Sequence, residues 1–306
     1  FLDNYKKVLI DVEKNNYPKN PRVIFTSHAI NKKTLTSFYI AEKKELGAKL
    51  INGQHGGVYG QCKFHWYEDF EKKISDKFVT WGWSNDNKTI PIGILKPRKK
   101  LQRKRSGKLC LIMRPKERYF STILDSRFKA PQMLDYHQEC MKMVEILRKD
   151  IKNNYIHLRL HPRTYGWYEQ KMWEDRFSNI EIDKGFSPIN KIINASRLAI
   201  YTYNSTGYLE FFDSNFPTLL FWSEKDTIMN SETEEFFEEL KKVKIFHDNK
   251  ESLSEHINQI WENVDEWWLS RNVQNIKKKF CNKYVKVNNN KINDLKSLII
   301  KTGTEK

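Results

Sequence analysis

The sequence predicts an α/β protein with two domains, each built on a parallel sheet. Short apolar strands alternate with amphipathic helices in two separate series, and a basic segment lies between them. Such alternation is typical of βαβ units, whose strands run parallel with helices on the faces of the sheet. The length of 306 residues suits two cores of ordinary size.

The first series occupies residues 1–95, which we predict to form the N-terminal domain. Its predicted strands are "PRVIFTS", "AKLINGQ" and "KFVTWGW". Its predicted helices are "YKKVLIDVEK", "KKTLTSFYIAEKKELG" and "YEDFEKKISD", with Gly47 as the C-cap of the second. Three strands are fewer than a doubly wound domain needs, and the chain opens on Phe1. We therefore expect this domain to be incomplete.

A basic linker at residues 96–106 forms the predicted domain boundary. Its core, "KPRKKLQRKR" (96–105), has no acidic residue. A block of like charges is typical of a solvated linker, and contact with an anionic membrane surface is the alternative. The whole chain has a formal net charge of +16. This charge favours an anionic partner without choosing among nucleotide, sugar phosphate, nucleic acid and lipid.

The second series occupies residues 107–285, the predicted C-terminal domain, and a helical tail follows at 286–306. Its predicted strands are "KLCLIMRP", "YIHLRLHPR", "NIEID", "RLAIYTYNST" and "PTLLFW". The stretch "QMLDYHQECMKMVEILRKDI" (132–151) predicts one long helix, and "PINKIINA" and "GYLEFFDSN" predict shorter ones. From residue 231 onward the pattern is helical.

The cysteines and the hydropathy restrict the class of protein. Four cysteines are widely separated, without a CxxC pair: Cys62, Cys110, Cys140 and Cys281. This spacing argues against a zinc site or a disulfide framework and favours reduced thiols in a cytoplasmic protein. No run approaches 18 apolar residues, so we expect no membrane-spanning helix.

Three polar clusters follow predicted strands, where ligands bind in open parallel sheets. The first is Gln54-His55-Gly56-Gly57, after the strand "AKLINGQ". Its glycines allow a ligand to approach the backbone closely and leave the imidazole accessible. Because imidazole titrates near neutral pH, His55 is a candidate general base for an acceptor hydroxyl. A histidine satisfied by backbone bonds in a turn is the alternative.

The second cluster is "RLHPR", with Arg159, His161 and Arg163. Alternation along a strand places these three side chains on one face, around the point where Pro162 stops the ladder. Two guanidinium groups and an imidazole at a strand end suit the oxygens of a phosphate. Solvated charges on an edge strand are the alternative.

The third cluster is "YNSTGYLE", where an apolar strand runs into Asn204, Ser205 and Thr206 and then into a helix. Ser205 or Thr206 can cap this helix while its exposed N–H groups receive a phosphate. Gly207 permits close approach, and Glu210, one turn later, could accept a ribose hydroxyl. Capping alone explains the Ser and Thr but not the whole pattern, which is the most specific of the three.

Four longer pieces carry a family resemblance: "QHGGVYG", "SDKFVTWGW", "YNSTGYLEFFDSNFPTLLFW" and "VDEWWLSRNVQNIKKKFC". Over roughly residues 20–285 the chain resembles bacterial surface-carbohydrate (O-antigen type) transferases. More distantly, "HPR" with "NST…E" resembles the donor half of GT-B glycosyltransferases and of related Kdo, polysialic acid and teichoic acid polymerases. The resemblance implies a GT-B-like protein with two Rossmann-like domains facing across a cleft.

The resemblance also implies a function. The chain would be a glycosyltransferase that moves a sugar from a nucleotide-activated donor to a lipid-linked or polysaccharide acceptor in surface polysaccharide biosynthesis. It would be cytoplasmic and could lie peripherally at the inner face of the cell membrane. GT-B enzymes generally need no bound metal ion, and the chain has no DxD-type motif. We therefore expect neither a metal nor a cofactor, the donor being a substrate.

Residue by residue, the resemblance assigns roles to all three clusters. Gln54, His55 and Gly56, with Gly57, would match the N-domain histidine loop. Arg159, His161 and Arg163 would match the donor-phosphate site. Asn204, Ser205, Thr206, Gly207 and Glu210 would match the loop that holds phosphate and ribose. We expect the histidine loop and the two anion-holding turns to line opposite walls of one crevice.

One departure from the family pattern concerns the base. The acidic pair that serves as base in some sialyl- and Kdo-transferring relatives is not recognisable, and we interpret Asp76 as structural. The tryptophans of the "WGW" and "EWW" pieces, with Trp222, predict core packing. Stacking of Trp83 on a sugar or base is the alternative.

Other functions remain open at the level of sequence. A polyol-phosphate transferase with a CDP donor would use the same layout, whereas a nucleotide-sugar 2-epimerase would need additional acids. A nucleic-acid-binding protein would explain the charge, but the basic residues cluster in a linker without RNP-like or helix-turn-helix patterns, so nucleic acid is the weaker candidate partner. A degenerate transferase fragment without activity is the remaining alternative.

Overall fold

The computed structural model of this chain describes residues 4–97, 100–119 and 129–305. The contacts divide the chain into two compact units. Unit 1 comprises Phe1–Gly60, His65–Lys96 and Asn282–Lys306, and unit 2 comprises Gln61–Phe64 and Pro97–Cys281. The C-terminal residues thus return to the same unit as the N-terminal ones.

Unit 1 is built on a four-stranded parallel sheet. In chain order its first elements are α1 Tyr5–Lys14, β1 Val23–Thr26, α2 Ala29–Lys32, α3 Thr34–Glu45, β2 Lys49–Gly53, α4 Trp66–Ile74, β3 Lys77–Val79 and β4 Thr89–Ile90. The strands lie in the order β1-β2-β3-β4. The prediction of Gly47 at the end of the second long helix is confirmed, because Gly47 has φ +95° and its N–H bonds to the Lys44 carbonyl.

Two details of unit 1 differ from the prediction. The strand predicted over 77–83 stops at Val79, because the backbone turns at Gly82, which has φ +142°. The fourth strand, β4, is missing from the prediction because it has only two residues, which are too few for an alternating pattern.

Unit 2 is built on a six-stranded parallel sheet. In chain order its elements are β5 Lys108–Ile112, α5 Met133–Ile146, α6 Lys149–Asn154, β6 Ile156–Arg159, α7 Glu169–Arg176, β7 Glu181–Asp183, α8 Ile189–Ile193, β8 Ser196–Tyr201, α9 Thr206–Asp213, β9 Thr218–Phe221, α10 Ser231–Lys242, β10 Phe246–His247, α11 Lys250–Ile260 and α12 Val264–Trp268. Two helices complete the chain, α13 Arg271–Tyr284 and α14 Lys291–Thr304.

The strands of unit 2 lie in the order β10-β9-β8-β5-β6-β7. After β5 the chain adds β6 and then β7 on one side of it. It then returns to the other side of β5 and adds β8, β9 and β10 in turn, as in a Rossmann sheet. The order therefore reverses between β5 and β8. Ligands of such sheets bind at the carboxyl ends of the strands that flank this reversal. We refer to this place as the switch point.

The predicted elements of unit 2 need three corrections. The single helix predicted over 132–151 is two helices, because Leu147 has an extended backbone between α5 and α6. The helix α7 is absent from the prediction because its sequence, "EQKMWEDR", has few apolar residues. The strand β10 interrupts the region predicted as wholly helical after residue 231, and it too has only two residues.

The sheet of unit 1 has an apolar core on each face, because successive residues of β2 point to opposite sides. Leu50 packs with residues of α1 and α3 on one face. Ile51 packs on the other face with Val79 and Ile92, and there Leu295 and Leu298 of α14 cover it. The C-terminal helix is therefore a structural part of unit 1.

The basic segment is only partly what the sequence predicts. Residues 98 and 99 lie outside the described residues, but Arg103 is mostly buried and pairs with Asp265 of α12. The Lys104 N–H bonds to the Ser196 carbonyl, 3.1 Å away, while the Arg105 side chain is 83% exposed. A wholly solvated linker is therefore wrong for this part of the segment.

We expect Gly82 to be intolerant of any side chain. An added Cβ would lie 2.6 Å from the Asn282 carbonyl oxygen and 2.8 Å from that of Lys283. Gly82→Ala should therefore lower the free energy of unfolding by about 3 kcal/mol, since backbone strain alone costs about 1–3 kcal/mol. Gly47→Ala is the matched control, because its φ is also positive but no atom lies within 4 Å. Equal losses for both variants in urea unfolding would contradict this expectation.

Candidate functional site

Two histidines lie at the carboxyl ends of neighbouring strands in unit 1. His28 follows β1 and His55 follows β2, and parallel pairing of these strands brings both residues to the same edge. Their ring centres are 3.8 Å apart. The sequence thus correctly predicts a histidine at a strand end, but it does not reveal the second one.

A hydrogen-bonded chain leads from His55 into the interior of unit 1. The Tyr59 hydroxyl lies 2.9 Å from Nδ1 of His55 and donates to Oε2 of Glu71, 3.0 Å away. The Asn31 side chain donates to Oε1 of the same carboxylate. Tyr59 and Glu71 are buried, whereas the His55 side chain is 25% exposed. The chain therefore connects a buried carboxylate to an accessible imidazole.

Burial determines the charge state of His55. Burial first, and then the charges that His28 and His65 carry when protonated, lower the pKa of the imidazole to about 4. The ring is thus neutral at pH 7 and can accept a proton. Burial also raises the pKa of the Glu71 carboxyl to about 7, against the hydrogen bonds from Tyr59 and Asn31, which lower it.

The same cluster contains the residue types that bind metals. Ligand atoms of His28, His55 and Glu71 lie within 4.8 Å of one another, and the described residues contain no other such group. However, Nδ1 of His55 and both oxygens of Glu71 already take part in hydrogen bonds within the protein. Hydrogen bonding therefore accounts for the arrangement of His55 and Glu71, whereas Nδ1 of His28 is buried without a hydrogen-bond partner.

Gln54, a predicted cleft residue, is buried and bonded inside unit 1. Its Oε1 accepts from the Trp81 N–H (2.9 Å) and from Nε1 of Trp83 (2.8 Å). Its Nε2 donates to the Gly56 carbonyl (2.7 Å). The amide thus holds the histidine loop against the "WGW" segment. Trp83 is 2% exposed and packs in the interior, so a sugar cannot stack on it here.

The histidine loop bends at Gly56 and turns over residues 57–60. Within this turn Gly60 has a positive φ, +73°. A Cβ on Gly60 would be 2.5 Å from the Trp83 ring, and its N–H donates to Glu68, 2.7 Å away. Gly60 is therefore the glycine that this loop requires.

In unit 2 the third predicted cluster lies at the switch point. Ser205 is the N-cap of α9 and has an extended backbone, but its side chain does not cap the helix. Its hydroxyl oxygen is buried without a hydrogen-bond partner. A helix N-terminus favours an anion through its N–H groups and dipole. Gly207 lacks room for a side chain because a Cβ would overlap the Tyr201 hydroxyl.

Asn204 and Glu210 differ in accessibility. Asn204 is buried, and its Nδ2 donates to Oε1 of Gln61, 2.9 Å away. The Tyr208 hydroxyl lies 3.2 Å from Oε1 of Gln61 and from Oδ1 of Asn204. These contacts hold the segment Gln61–Phe64 in unit 2. Glu210 is half-buried, one turn into α9.

The second predicted cluster is not a single convergent group. Arg159 pairs with Asp183 of β7 and donates to the Ser187 and Gly185 carbonyls, at 2.7 and 3.0 Å. Arg163 is exposed, and its N–H donates to Nδ1 of His161, 3.2 Å away. Arg159 is thus committed to the segment after β7, whereas Arg163 and the half-buried His161 remain near the surface.

Sequence reasoning missed Arg114, although "KLCLIMRP" ends on it. It is 5% exposed and follows β5, beside the switch point. Its guanidinium carbon lies 5.6 Å from the ring centre of Tyr136 and 5.9 Å from that of Tyr203. Burial raises the pKa of Asp226, and the charge of Arg114 opposes this rise. Arg114 thus adds a buried positive charge where ligands of such sheets bind.

The two units, each built on a parallel sheet, agree with a GT-B fold. The chain is similar to a glycosyltransferase from Rickettsia africae ESF-5 at 12% identity, covering 100% of this chain and 82% of that one, with a TM-score of 0.54. It is also similar to the glycotransferase of kitacinnamycin (10%, 97% and 81%, TM-score 0.50) and to spinosyn forosaminyltransferase SpnP (8%, 96% and 79%, TM-score 0.51). At these identities the likeness shows the fold.

A family profile places the chain more closely. The profile described as LIC12162 family transferase matches residues 1–299, so the chain belongs to that family. No curated protein matches the sequence of the chain. Among the described residues, no helix is long and apolar enough to cross a membrane.

Proposed function

We propose that this chain transfers a sugar from a nucleotide-activated donor to a hydroxyl of a bacterial surface polysaccharide, with His55 as general base. The observation that carries the proposal is the neutral, accessible imidazole of His55 at the carboxyl end of β2, held through its Nδ1 by Tyr59. Membership of a transferase family and a GT-B fold support group transfer.

In the proposed reaction the acceptor oxygen forms a bond to the anomeric carbon as the bond from that carbon to the donor phosphate breaks. The proton of the acceptor hydroxyl passes to His55, and the electron pair of the broken bond leaves with the nucleotide. The negative charge that grows on the phosphate needs positive partners fixed in advance.

For the donor phosphate we propose His161, Arg163 and the N-terminus of α9 at Ser205, Thr206 and Gly207, with Arg114 adding positive charge. Glu210 would accept from the ribose. Arg159 and Asn204 would act indirectly, because their side chains are bonded within unit 2. In unit 1, Gln54, Gly56 and Gly57 would shape the acceptor side. That both sets of residues act on one donor and acceptor stays a prediction.

The proposal also includes the kind of acceptor and the place where it is bound. A lipid-linked or polysaccharide acceptor would be presented at the inner face of the membrane, and the exposed basic residues of 96–105, such as Arg105, would contact anionic lipid there. The net charge of +16 supports such an anionic surface as partner.

A thermal-shift screen followed by a turnover assay tests the proposed function. CMP-, CDP-, UDP-, GDP- and dTDP-linked sugars and CDP-glycerol are compared, because specific binding raises the melting temperature by mass action. The best donor is then assayed for release of its nucleotide. A shift and turnover with a nucleotide sugar are expected. A response to CDP-glycerol alone would indicate that the chain transfers a polyol phosphate instead of a sugar. Binding of single-stranded nucleic acid alone, with a steep salt dependence, would refute transfer.

Arg163→Ala is expected to weaken donor binding about tenfold, because a charge-assisted hydrogen bond contributes roughly 1.5 kcal/mol or more. Titration calorimetry with the best donor from the screen measures the dissociation constant. Arg105→Ala is the matched control for this membrane-free assay, since it removes an exposed arginine of the same unit outside the proposed donor site. Equal weakening by both variants would indicate a general effect of net charge instead of a phosphate contact.

A further inference from the structure

The side chains around His55 hold its imidazole ring by hydrogen bonds and by ring contact, more firmly than a general base alone requires. Tyr59 lies between the imidazole and Glu71, with bonds in both directions. The His28 ring covers one side of the imidazole, at 3.8 Å between ring centres. Tyr59 is 1% exposed and Glu71 is fully buried. These contacts fix both the plane and the hydrogen-bond partner of the imidazole.

The direction of each hydrogen bond follows from what each group can donate. Above its pKa of about 7, the Glu71 carboxyl is ionised and can only accept, and it accepts from Asn31 on one oxygen and from Tyr59 on the other. The single phenol proton of Tyr59 is thereby used. Its oxygen can then only accept from His55. Nδ1 of His55 lies 2.9 Å away and Nε2 3.4 Å away, so the shorter contact assigns the proton to Nδ1.

We propose that Tyr59 and Glu71 are positioning residues that hold His55 as its Nδ1–H tautomer, so that Nε2 is the atom that takes the acceptor proton. This inference rests on the proposed role of His55. When Nε2 takes the proton, Nδ1–H keeps its bond to Tyr59, and the new positive charge faces the Glu71 carboxylate, whose Oε1 lies 3.8 Å from Nδ1. Glu71 thus stabilises the imidazolium while the acceptor oxygen attacks.

Side-chain nitrogen NMR of histidine-labelled protein tests the tautomer without any turnover. Long-range proton–nitrogen correlations distinguish a protonated Nδ1 from a protonated Nε2, and His55→Gln assigns the signal. We expect a protonated Nδ1 and an unprotonated Nε2 in the parent protein at pH 8.5, where Glu71 is ionised. A protonated Nε2 would overturn the inference, whether or not the protein transfers sugar.

Two variants, each changing a single group, test the hydrogen-bonded chain from His55 through Tyr59 to Glu71, which we refer to as the relay. Tyr59→Phe removes only the hydroxyl. Glu71→Gln keeps the shape, but its amide can donate to Tyr59, which turns the phenol proton toward Nδ1 of His55 and moves the imidazole proton to Nε2. We therefore expect the Nε2–H tautomer in Glu71→Gln and a mixture in Tyr59→Phe. Unchanged tautomers in both variants would overturn the inference.

Kinetics of the same variants separate positioning from structure. We expect kcat to fall about a hundred-fold in Glu71→Gln and about tenfold in Tyr59→Phe, within the roughly 10²–10⁴-fold that a general base contributes. KM for the donor should stay within about twofold. Tyr67→Phe is the matched control, because the Tyr67 ring centre lies 6.5 Å from that of His55 without a bond to it. Melting curves exclude loss of fold, and equal effects of Tyr59→Phe and Tyr67→Phe would contradict the relay.

Discussion

His55→Gln is expected to reduce kcat by about a hundred-fold or more and to leave donor affinity unchanged. General bases contribute roughly 10²–10⁴-fold to such reactions, and glutamine keeps the polarity of the site but cannot take up the proton. The pKa of the imidazole, lowered to about 4, keeps the ring available as a base at neutral pH. Steady-state kinetics with the best donor and titration calorimetry measure the two quantities separately.

The control for this variant is His157→Gln. His157 lies on β6 in unit 2, outside the proposed machinery, with Nε2 3.7 Å from Oε1 of Glu181. Its replacement should change turnover by no more than a few-fold. A His55→Gln enzyme that turns over within a few-fold of the parent would remove the general base from the proposal. Lost donor binding would instead place His55 in the donor site.

Gln54→Leu is expected to destabilise unit 1 and to abolish most activity together. The substitution leaves the Trp81 N–H, the Trp83 Nε1–H and the Gly56 carbonyl without their present partner. Each buried polar group left unpaired costs about 1–3 kcal/mol, so the free energy of unfolding should fall by about 3 kcal/mol or more. The histidine loop would also lose its anchor. Urea unfolding and kcat measure the two effects.

Gln170→Leu is the matched control, because this glutamine makes one side-chain bond, to Glu174, at the surface of unit 2. Surface changes of this kind stay within about 0.5 kcal/mol. The competing hypothesis, direct contact of Gln54 with the acceptor, predicts normal stability and a raised KM for the acceptor alone. That outcome would restore the role that the sequence suggests.

The fold was predictable because its signals are local. Apolar strands and amphipathic helices show their patterns within short runs of consecutive residues, so the sequence predicts the parallel α/β class and most strands of unit 2. The strands β4 and β10 were not, since two residues show no period. Their pairing depends on β3 and β9, which lie elsewhere in the chain.

The positions of the candidate residues at strand ends were predictable, but their contacts were not. Spacing places His55 and Ser205 after strands, where ligands bind. It cannot show that Gln54 bonds to tryptophans 27 and 29 residues away, or that Arg159 is committed to Asp183. The relay through Tyr59 and Glu71 joins a loop to a helix, and only the packed structure brings them together. Local pattern therefore finds strand ends, while tertiary contacts decide which side chains remain available.

The return of the C-terminal helix to unit 1 has a consequence for synthesis. During translation, Ile51 and Val79 emerge long before Leu295 and Leu298, which cover them in the finished protein. Residues Pro97–Cys281 of unit 2 are made in between. One apolar face of the unit 1 sheet therefore stays uncovered until α14 has been synthesised, and in that time it is accessible to chaperones or to other nascent chains. Of the two units, unit 1 can therefore be completed only after the residues of unit 2 have been made.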